Sequence, residues 1–133
     1  MNKIEHIGIA VKDLDAAKHT FAQLLGTEYY KEESVAAEGV TTVFFKVGDI
    51  KLEHLQATNE NSPIAKFINK RGEGIHHIAF DVDSVDKKAD SLKEEGFVVL
   101  NDNTKDGADN KLINFVHPKS SHGVLVEICQ DKE

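Results

Sequence analysis

The chain has 133 residues, of which 40% are hydrophobic, so it is globular and long enough for one domain with a normal core. Its formal net charge of −7 excludes nucleic acid and an anionic membrane surface as main partners, because both require clustered Lys and Arg. No apolar run approaches the roughly 20 residues that span a bilayer. The chain has a single cysteine, Cys129, and its N-terminal segment lacks a signal-peptide pattern. These two features predict a cytoplasmic protein.

The first half of the chain has the pattern of a strand, a helix and then a β-hairpin. Residues 4–11 alternate as a strand does. Asp13 is suited to the N-cap of the next helix, whose apolar residues recur at helical spacing until Gly26 ends it. Residues 40–47 and 50–55 are rich in branched and aromatic side chains around a Gly-Asp turn, which predicts the two strands of a hairpin.

The second half repeats this order after a connecting segment, residues 59–73, in which a Ser-Pro pair starts a short helix. Residues 75–82 predict a strand, and an amphipathic helix follows that ends at Gly96. Residues 111–116 and 123–129 then predict a second pair of strands.

This duplication predicts the architecture. We divide the chain into a first module of about residues 1–58, the link, and a second module of about residues 74–130, all within one domain of residues 1–133. Each module alone would be marginal and would leave a sheet edge unpaired, so the two should combine. The predicted fold class is α+β, with two tandem βαβββ modules that form a curved mixed sheet around a cleft.

Each module carries one histidine and one glutamate at equivalent positions, His6 and Glu53 in the first, His77 and Glu127 in the second. Strand alternation puts His6 on the same face as the small residue Gly8, which leaves room for a ligand. A glutamate within an apolar strand is costly to bury unless a cation neutralises it. Two imidazoles and two carboxylates suit cobalt, nickel, zinc, manganese or iron, and so predict a metal in the cleft.

Taken singly, these residues would be ordinary. A histidine at a strand start is usually only hydrogen bonded, and a strand glutamate usually faces solvent. Their joint placement at equivalent positions of two repeats favours the ligand role. His76 competes with His77 in the second module, but the repeat alignment selects His77, and alternation sends His76 to the opposite face.

Longer blocks of sequence extend the repeat to a family resemblance. The blocks are His-Ile-Gly-Ile-Ala-Val-Lys-Asp-Leu (6–14), Ser-Pro-Ile-Ala-Lys-Phe (62–67), Arg-Gly-Glu-Gly-Ile-His-His-Ile-Ala-Phe (71–80), Phe-Val-His-Pro-Lys-Ser (115–120) and Gly-Val-Leu-Val-Glu (123–127). The paired histidine and glutamate strands resemble the vicinal oxygen chelate superfamily. Along essentially the whole chain, the blocks are similar to its methylmalonyl-CoA epimerase family.

The resemblance implies metal ligation by His6, Glu53, His77 and Glu127, with one divalent ion per chain, cobalt first and nickel, zinc or manganese as alternatives. The implied reaction interconverts (2R)- and (2S)-methylmalonyl-CoA by α-proton abstraction through a metal-stabilised enolate, a step of propionate metabolism. The resemblance also implies an acyl-CoA substrate and a homodimer. Glu53 and Glu127 are the candidate acid/base pair, because epimerisation needs proton transfer on both faces of a planar intermediate.

The sequence departs from part of this family at the base. Some members carry a glutamate near the position of Thr42 and a glutamine at that of Glu53, so their base assignment does not transfer. We expect Glu53 to take over much of that role. Lys119 and Ser120, in a loop beside the last strand, are candidate substrate-binding residues for the acyl carboxylate or the CoA phosphates, against the alternative of a solvated turn.

Other functions remain open on the sequence. A glyoxalase I, which isomerises the hemithioacetal of methylglyoxal and glutathione, uses a similar ligand set, so only the blocks at 62–67 and 117–120 favour the epimerase. A non-catalytic ligand-binding protein of the bleomycin-resistance type commonly lacks the full ligand set that is present here. A ring-opening dioxygenase usually has one carboxylate ligand, and Glu53 would be a second.

Overall fold

The structure, a computed structural model, describes all residues from 1 to 133. It contains eight β-strands and three α-helices. In chain order these are β1 (Lys3–Ala10), α1 (Leu14–Leu25), β2 (Lys31–Val35), β3 (Val40–Val47), β4 (Ile50–Ala57), α2 (Pro63–Arg71), β5 (Gly74–Asp81), α3 (Val85–Glu94), β6 (Lys105–Gly107), β7 (Lys111–Val116) and β8 (Val126–Asp131). None of the three helices is both long enough and apolar enough to cross a bilayer.

The residues form two compact units, one of residues 6–76 and the other of residues 1–5 and 77–133. In the first, the strands lie in the order β2-β3-β4-β1, and β1 runs parallel to β4. In the second, they lie in the order β5-β8-β7-β6, and β5 runs parallel to β8. The other neighbouring strands are antiparallel. The predicted α+β class, with two βαβββ modules of mixed strand direction, is confirmed.

The helices α1 and α3 both begin at side-chain caps. The carboxylate of Asp13 accepts a hydrogen bond from the amide of Ala16 at 3.2 Å, and Gly26 ends α1 with a φ of 70°, which favours glycine. The hydroxyl of Ser84 accepts in the same way from the amide of Lys87 at 3.2 Å. The sequence thus starts each helix directly after the strand that bears a candidate histidine.

A glutamine near the end of β4 and another near the end of β8 add a contact to these helix starts. Oε1 of Gln56 accepts from the amide of Leu14 at 2.5 Å, and Oε1 of Gln130 accepts from the amide of Val85 at 2.7 Å. Each bond satisfies an amide that has no partner within its helix. Because each glutamine lies three residues after the candidate glutamate, the bond ties the glutamate's strand to the helix.

The strands of the first unit have an apolar core on each side. On the α1 side, the buried residues are Val11, Leu14, Ala17, Val43 and Phe45. On the other side, against α2, they are Ala10, Val40, Leu55 and Ile64. Because strand side chains alternate, Glu53 shares the face of Leu55, away from α1.

The strands of the second unit repeat this division. On the α3 side, the buried residues are Val82, Val85, Ala89, Leu92, Val116 and Ile128. The opposite side buries Ala79, Ile113 and Cys129. Glu127 shares the face of Cys129, so in each unit the candidate glutamate lies on the side away from the first helix of its module.

Two strands differ from the sequence prediction by two residues or more at an end. The strand predicted at 123–129 begins later, as Val126–Asp131, because the residues before it form a turn in which His122 and Gly123 have φ values of 56° and 90°. The strand predicted at 50–55 continues to Ala57. Both differences lie at strand ends, where periodicity is least informative.

His54 is a fully buried histidine with no hydrogen-bond partner for either ring nitrogen. Its ring points into the α1-side core, with centroid distances of 4.2 Å to Phe21 and 5.5 Å to Phe45. Burial lowers the pKa of His54 to about 4, because the cation would lose its hydration. The folded chain therefore holds a neutral imidazole as an apolar packing group.

Replacing His54 by leucine, which has a similar volume, should raise the unfolding free energy by about 1 kcal/mol at about pH 8, because two buried nitrogens without partners are removed. It should also flatten the pH dependence. The pKa of His54 is about 4 in the folded chain against an ordinary value of 6.5 for histidine. Its contribution to stability is therefore complete above the higher value and falls as the pH drops toward the lower one.

Urea unfolding of the metal-free protein at about pH 8 and about pH 5 measures both effects. The matched control is His19→Gln, because His19 is exposed on α1. If the His54 variant kept the wild-type slope of stability against pH, this account of His54 would be wrong.

Candidate metal and active site

The first unit brings His6 and Glu53 together. Nε2 of His6, on β1, lies 3.2 Å from Oε1 of Glu53, on β4. The exposed fractions of the two residues are 5% and 3%. The imidazole and the carboxylate therefore meet out of water, on the face away from α1.

The second unit brings His77 and Glu127 together through the same two atoms. Nε2 of His77, on β5, lies 3.4 Å from Oε1 of Glu127, on β8. Both residues are buried, and the ring of Phe115 stands edge-on to the ring of His77, with centroids 6.1 Å apart. The same contact thus occurs once in each repeat.

The strand register of the two pairs is also the same. On the parallel strands β1 and β4, Glu53 lies across from Gly8, two residues after His6. On the parallel strands β5 and β8, Glu127 lies across from Ala79, two residues after His77. In both units the residue beside the glutamate is small, which leaves space above the strand next to the carboxylate.

These pairs have the donors of a divalent metal site. A carboxylate buried beside a neutral imidazole keeps an uncompensated charge, which a proton on the ring or a cation must balance. Imidazole nitrogen and carboxylate oxygen are both ligands for first-row divalent ions. The residues therefore fit such an ion, because each unit supplies one buried nitrogen donor and one buried oxygen donor.

Glu53 has a further buried partner, Thr42, that the sequence patterns did not identify. Thr42 is fully buried on β3, and its hydroxyl donates a hydrogen bond to Oε2 of Glu53 at 3.0 Å. The sequence could have indicated this contact, because Thr42 lies on the first strand of the predicted hairpin and shares a face with Glu53 on the second strand. The two oxygens of Glu53 therefore have different partners.

His76 lies on the other face of β5, as strand alternation predicts. Its ring packs edge-on against Phe67 of α2, with centroids 4.9 Å apart. Burial lowers the pKa of His76 to about 4. The neighbouring histidines therefore have different surroundings: His76 packs against α2, and His77 lies against Glu127.

Lys119 and Ser120 lie in the short 3₁₀ turn Pro118–Ser120, where Lys119 is exposed. The hydroxyl of Ser120 accepts a hydrogen bond from the amide of Val98 at 3.0 Å, which leaves its proton available to a ligand. Both residues border an open cavity of about 430 Å³. Their role in substrate binding stays a prediction.

A larger cavity in the first unit was not predicted from the sequence. It has a volume of about 780 Å³ and lies beside β4 and α2. Its polar lining includes Gln56, Asn59, Asn61 and Asn69. The sequence signal for it is the clustering of amide side chains in and beside the link.

Cys129 shares the buried face of Glu127 but has the surroundings of a packed thiol. Its Sγ lies 3.6 Å from the carbonyl oxygen of Phe80, to which it donates. Burial raises the pKa of the Cys129 thiol, and the nearby carboxylate of Glu127 raises it further. A thiol held in its protonated form is a poor nucleophile.

Comparison with known proteins assigns the chain to a family. Residues 5–115 match the family model of the Glyoxalase/Bleomycin resistance protein/Dioxygenase superfamily. The ethylmalonyl-CoA/methylmalonyl-CoA epimerase of Cereibacter sphaeroides is 39% identical over 132 residues, which cover 98% of this chain and 98% of that protein. The human mitochondrial methylmalonyl-CoA epimerase is 35% identical over 131 residues, which cover 98% of this chain and 74% of that protein.

A solved structure gives the same result for the fold. Streptomyces coelicolor methylmalonyl-CoA epimerase, as a variant in complex with 2-nitronate-propionyl-CoA, superposes with a TM-score of 0.95 at 36% identity. The match covers 98% of this chain and 95% of that one. The predicted resemblance to the epimerases is thereby confirmed.

The adjacent histidines of β5 provide a test of the candidate site. We expect His77→Ala to weaken Co²⁺ binding by more than about 100-fold, because loss of a ligand exceeds the roughly 10–100-fold cost of losing a group that only orients one. His76→Ala, the matched control, should bind Co²⁺ within about threefold of the wild type, since its ring faces α2. Competition with a chromogenic chelator measures both affinities, and equal losses in the two variants would contradict the assignment.

Proposed function

We propose that this chain, which belongs to the Glyoxalase/Bleomycin resistance protein/Dioxygenase superfamily, is a metal-dependent epimerase that interconverts (2R)- and (2S)-methylmalonyl-CoA. The observation that carries the proposal is the duplicated buried contact between a histidine Nε2 and a glutamate Oε1. The choice of methylmalonyl-CoA as substrate is supported by the similarity to methylmalonyl-CoA epimerases along nearly the whole chain.

The proposed metal ligands are His6, Glu53, His77 and Glu127, which together would hold one divalent ion per chain. Cobalt is the first choice, with nickel, zinc or manganese as alternatives, because these ions accept mixed nitrogen and oxygen donors. When bound, the ion supplies a Lewis acid that stabilises negative charge as it develops on the substrate's oxygens. Burial of both carboxylates supports this role, since each requires a positive charge beside it.

In the proposed mechanism, one glutamate removes a proton from the substrate and the other supplies one. The C–H bond to be broken lies between a thioester carbonyl and a carboxylate. As the proton leaves to one glutamate, the electron pair of that bond passes into the thioester to give a planar enolate. A proton returned to the opposite face by the other glutamate gives the second epimer. Glu53 and Glu127 would take these two roles, one from each repeat, with the acting carboxylate loosened from the metal.

Glu53 acts as the base of the first unit in this proposal. Thr42 has no carboxylate, so the role that a glutamate near that position holds in some family members falls to another residue. Glu53 is the carboxylate that contacts Thr42. Its burial keeps bulk water away from the carboxylate that would take the proton.

Lys119 and Ser120 are the proposed contacts to the acyl-CoA. The net charge of −7 disfavours an anionic thioester overall, so a local cation is needed. Lys119 is exposed next to a cavity of about 430 Å³, and Ser120 retains a hydroxyl proton to donate.

Three further properties complete the proposal. The protein is a homodimer, and it is located in the cytoplasm, where it serves propionate metabolism. Residues 1–133 form a single domain in which modules of about 1–58 and 74–130 flank the link 59–73. The dimer has a direct check, because light scattering of the purified protein should give twice the chain mass of 14.7 kDa.

Exchange of the α-proton of methylmalonyl-CoA in D₂O tests the function. The Co²⁺-loaded protein should exchange this proton and interconvert the two epimers, whereas the hemithioacetal of methylglyoxal and glutathione should be turned over poorly. Glu53→Gln should lower the exchange rate by at least about 100-fold, because a group that transfers a proton contributes that much. NMR of the two reactions follows both substrates.

Two results would overturn the assignments. Turnover of the hemithioacetal without exchange of methylmalonyl-CoA would make the protein a glyoxalase I instead. Near-full exchange in Glu53→Gln with metal bound would remove Glu53 from the role of base. Glu53→Gln preserves the shape of the side chain, so the comparison isolates the loss of the carboxylate.

Lys119→Ala should raise KM for methylmalonyl-CoA about tenfold with little change in kcat, because one charge-assisted contact to the substrate is lost away from the reacting carbon. Lys87→Ala is the matched control, since Lys87 is exposed on α3 outside the cavity. Steady-state kinetics at low and high salt measure the effect. An unchanged KM would show that Lys119 belongs to a solvated turn and does not bind the substrate.

A further inference from the structure

We propose that Thr42 is a positioning residue for Glu53, whose hydroxyl holds Oε2 of the carboxylate and so keeps Oε1 beside His6 as the metal-binding oxygen. The inference rests on the proposed role of Glu53 as a metal ligand. It gives Thr42 no contact with the substrate.

The register of β3 and β4 places the hydroxyl beside the carboxylate. Phe44 lies across from Glu53, and Thr42 lies across from Leu55. Thr42 is therefore the diagonal neighbour of Glu53 on one face of the hairpin. The distance of 3.0 Å between Oγ1 and Oε2 is that of a normal hydrogen bond, and Thr42 is fully buried.

This bond restricts how the carboxylate can turn. Oε1 lies 3.2 Å from Nε2 of His6, while Oε2 accepts from Thr42 on the strand at the other side of β4. Rotation of the carboxylate about its last torsion would leave a buried hydroxyl unpaired, which is unfavourable. Groups that orient a ligand in this way commonly contribute to metal affinity.

The second unit has no equivalent hydroxyl. Phe115 lies across from Glu127 as Phe44 lies across from Glu53, and the residue at the position of Thr42 is Ile113, across from Cys129. An isoleucine has no proton to donate. The two repeats therefore present their carboxylates with different neighbours, and the bond from Thr42 has no counterpart at Ile113.

Chelator competition on the metal-free protein gives the affinity for Co²⁺ without requiring turnover. Thr42→Val keeps the side-chain shape and removes the donor, and we expect about tenfold weaker binding. Thr42→Ser restores a hydroxyl and should return to within about threefold of the wild type. Thr42→Ala is measured as well, because it avoids any strain from the second valine methyl group.

Thr41→Val is the matched control. Thr41 is the preceding residue of β3 and faces the other way, where its hydroxyl bonds to that of Ser34 at 3.0 Å. A loss confined to Thr42→Val and Thr42→Ala, and recovered by Thr42→Ser, supports the proposal. Unchanged affinity in Thr42→Val, an equal loss in Thr41→Val, or failure of serine to recover binding overturns it.

The absorption spectrum of bound Co²⁺ provides a second readout. It should shift in Thr42→Val but not in Thr41→Val, because the ligand field depends on how the carboxylate oxygen is held. If the wild type binds Co²⁺ but exchanges no methylmalonyl-CoA proton, the proposed function fails while these affinities still decide the role of Thr42.

Discussion

The burial of one carboxylate against one imidazole in each repeat is the constraint on which the rest of the structure depends. Glu53 and Glu127 are almost entirely removed from water, and desolvation of such a charge costs several kcal/mol unless a partner compensates. Each lies beside the Nε2 of a histidine. That nitrogen can either carry a proton or bind a metal cation together with the carboxylate. The same requirement, met twice, is what makes the pairs suited to a divalent ion.

The strands and helices hold these groups in place. In each unit, the histidine and glutamate strands are parallel neighbours, and the glutamate lies beside the residue two positions after the histidine. Gln56 and Gln130 then tie the glutamate strands to the starts of α1 and α3. A carboxylate on a strand that is tied to a helix in this way has few alternative positions, which favours a site that is formed before any ion binds.

The two repeats are nonetheless not equivalent at the carboxylate. Thr42 donates to Oε2 of Glu53, whereas the matching position in the second unit is Ile113. An epimerase must transfer a proton on each of two faces of one carbon, and the proposed acid/base pair would do so with carboxylates that have different neighbours.

The sequence by itself determined the fold class, the two modules and the choice of His77 over His76, because repeat offsets and strand alternation are properties of the chain alone. It also located the pairs of His6 with Glu53 and His77 with Glu127 at equivalent positions. Only the tertiary structure decided that Thr42 contacts Glu53, that Gln56 caps α1, and that His54 is buried without hydrogen bonds. Those facts depend on cross-strand register and side-chain reach between segments that are distant in sequence, which local periodicity does not encode.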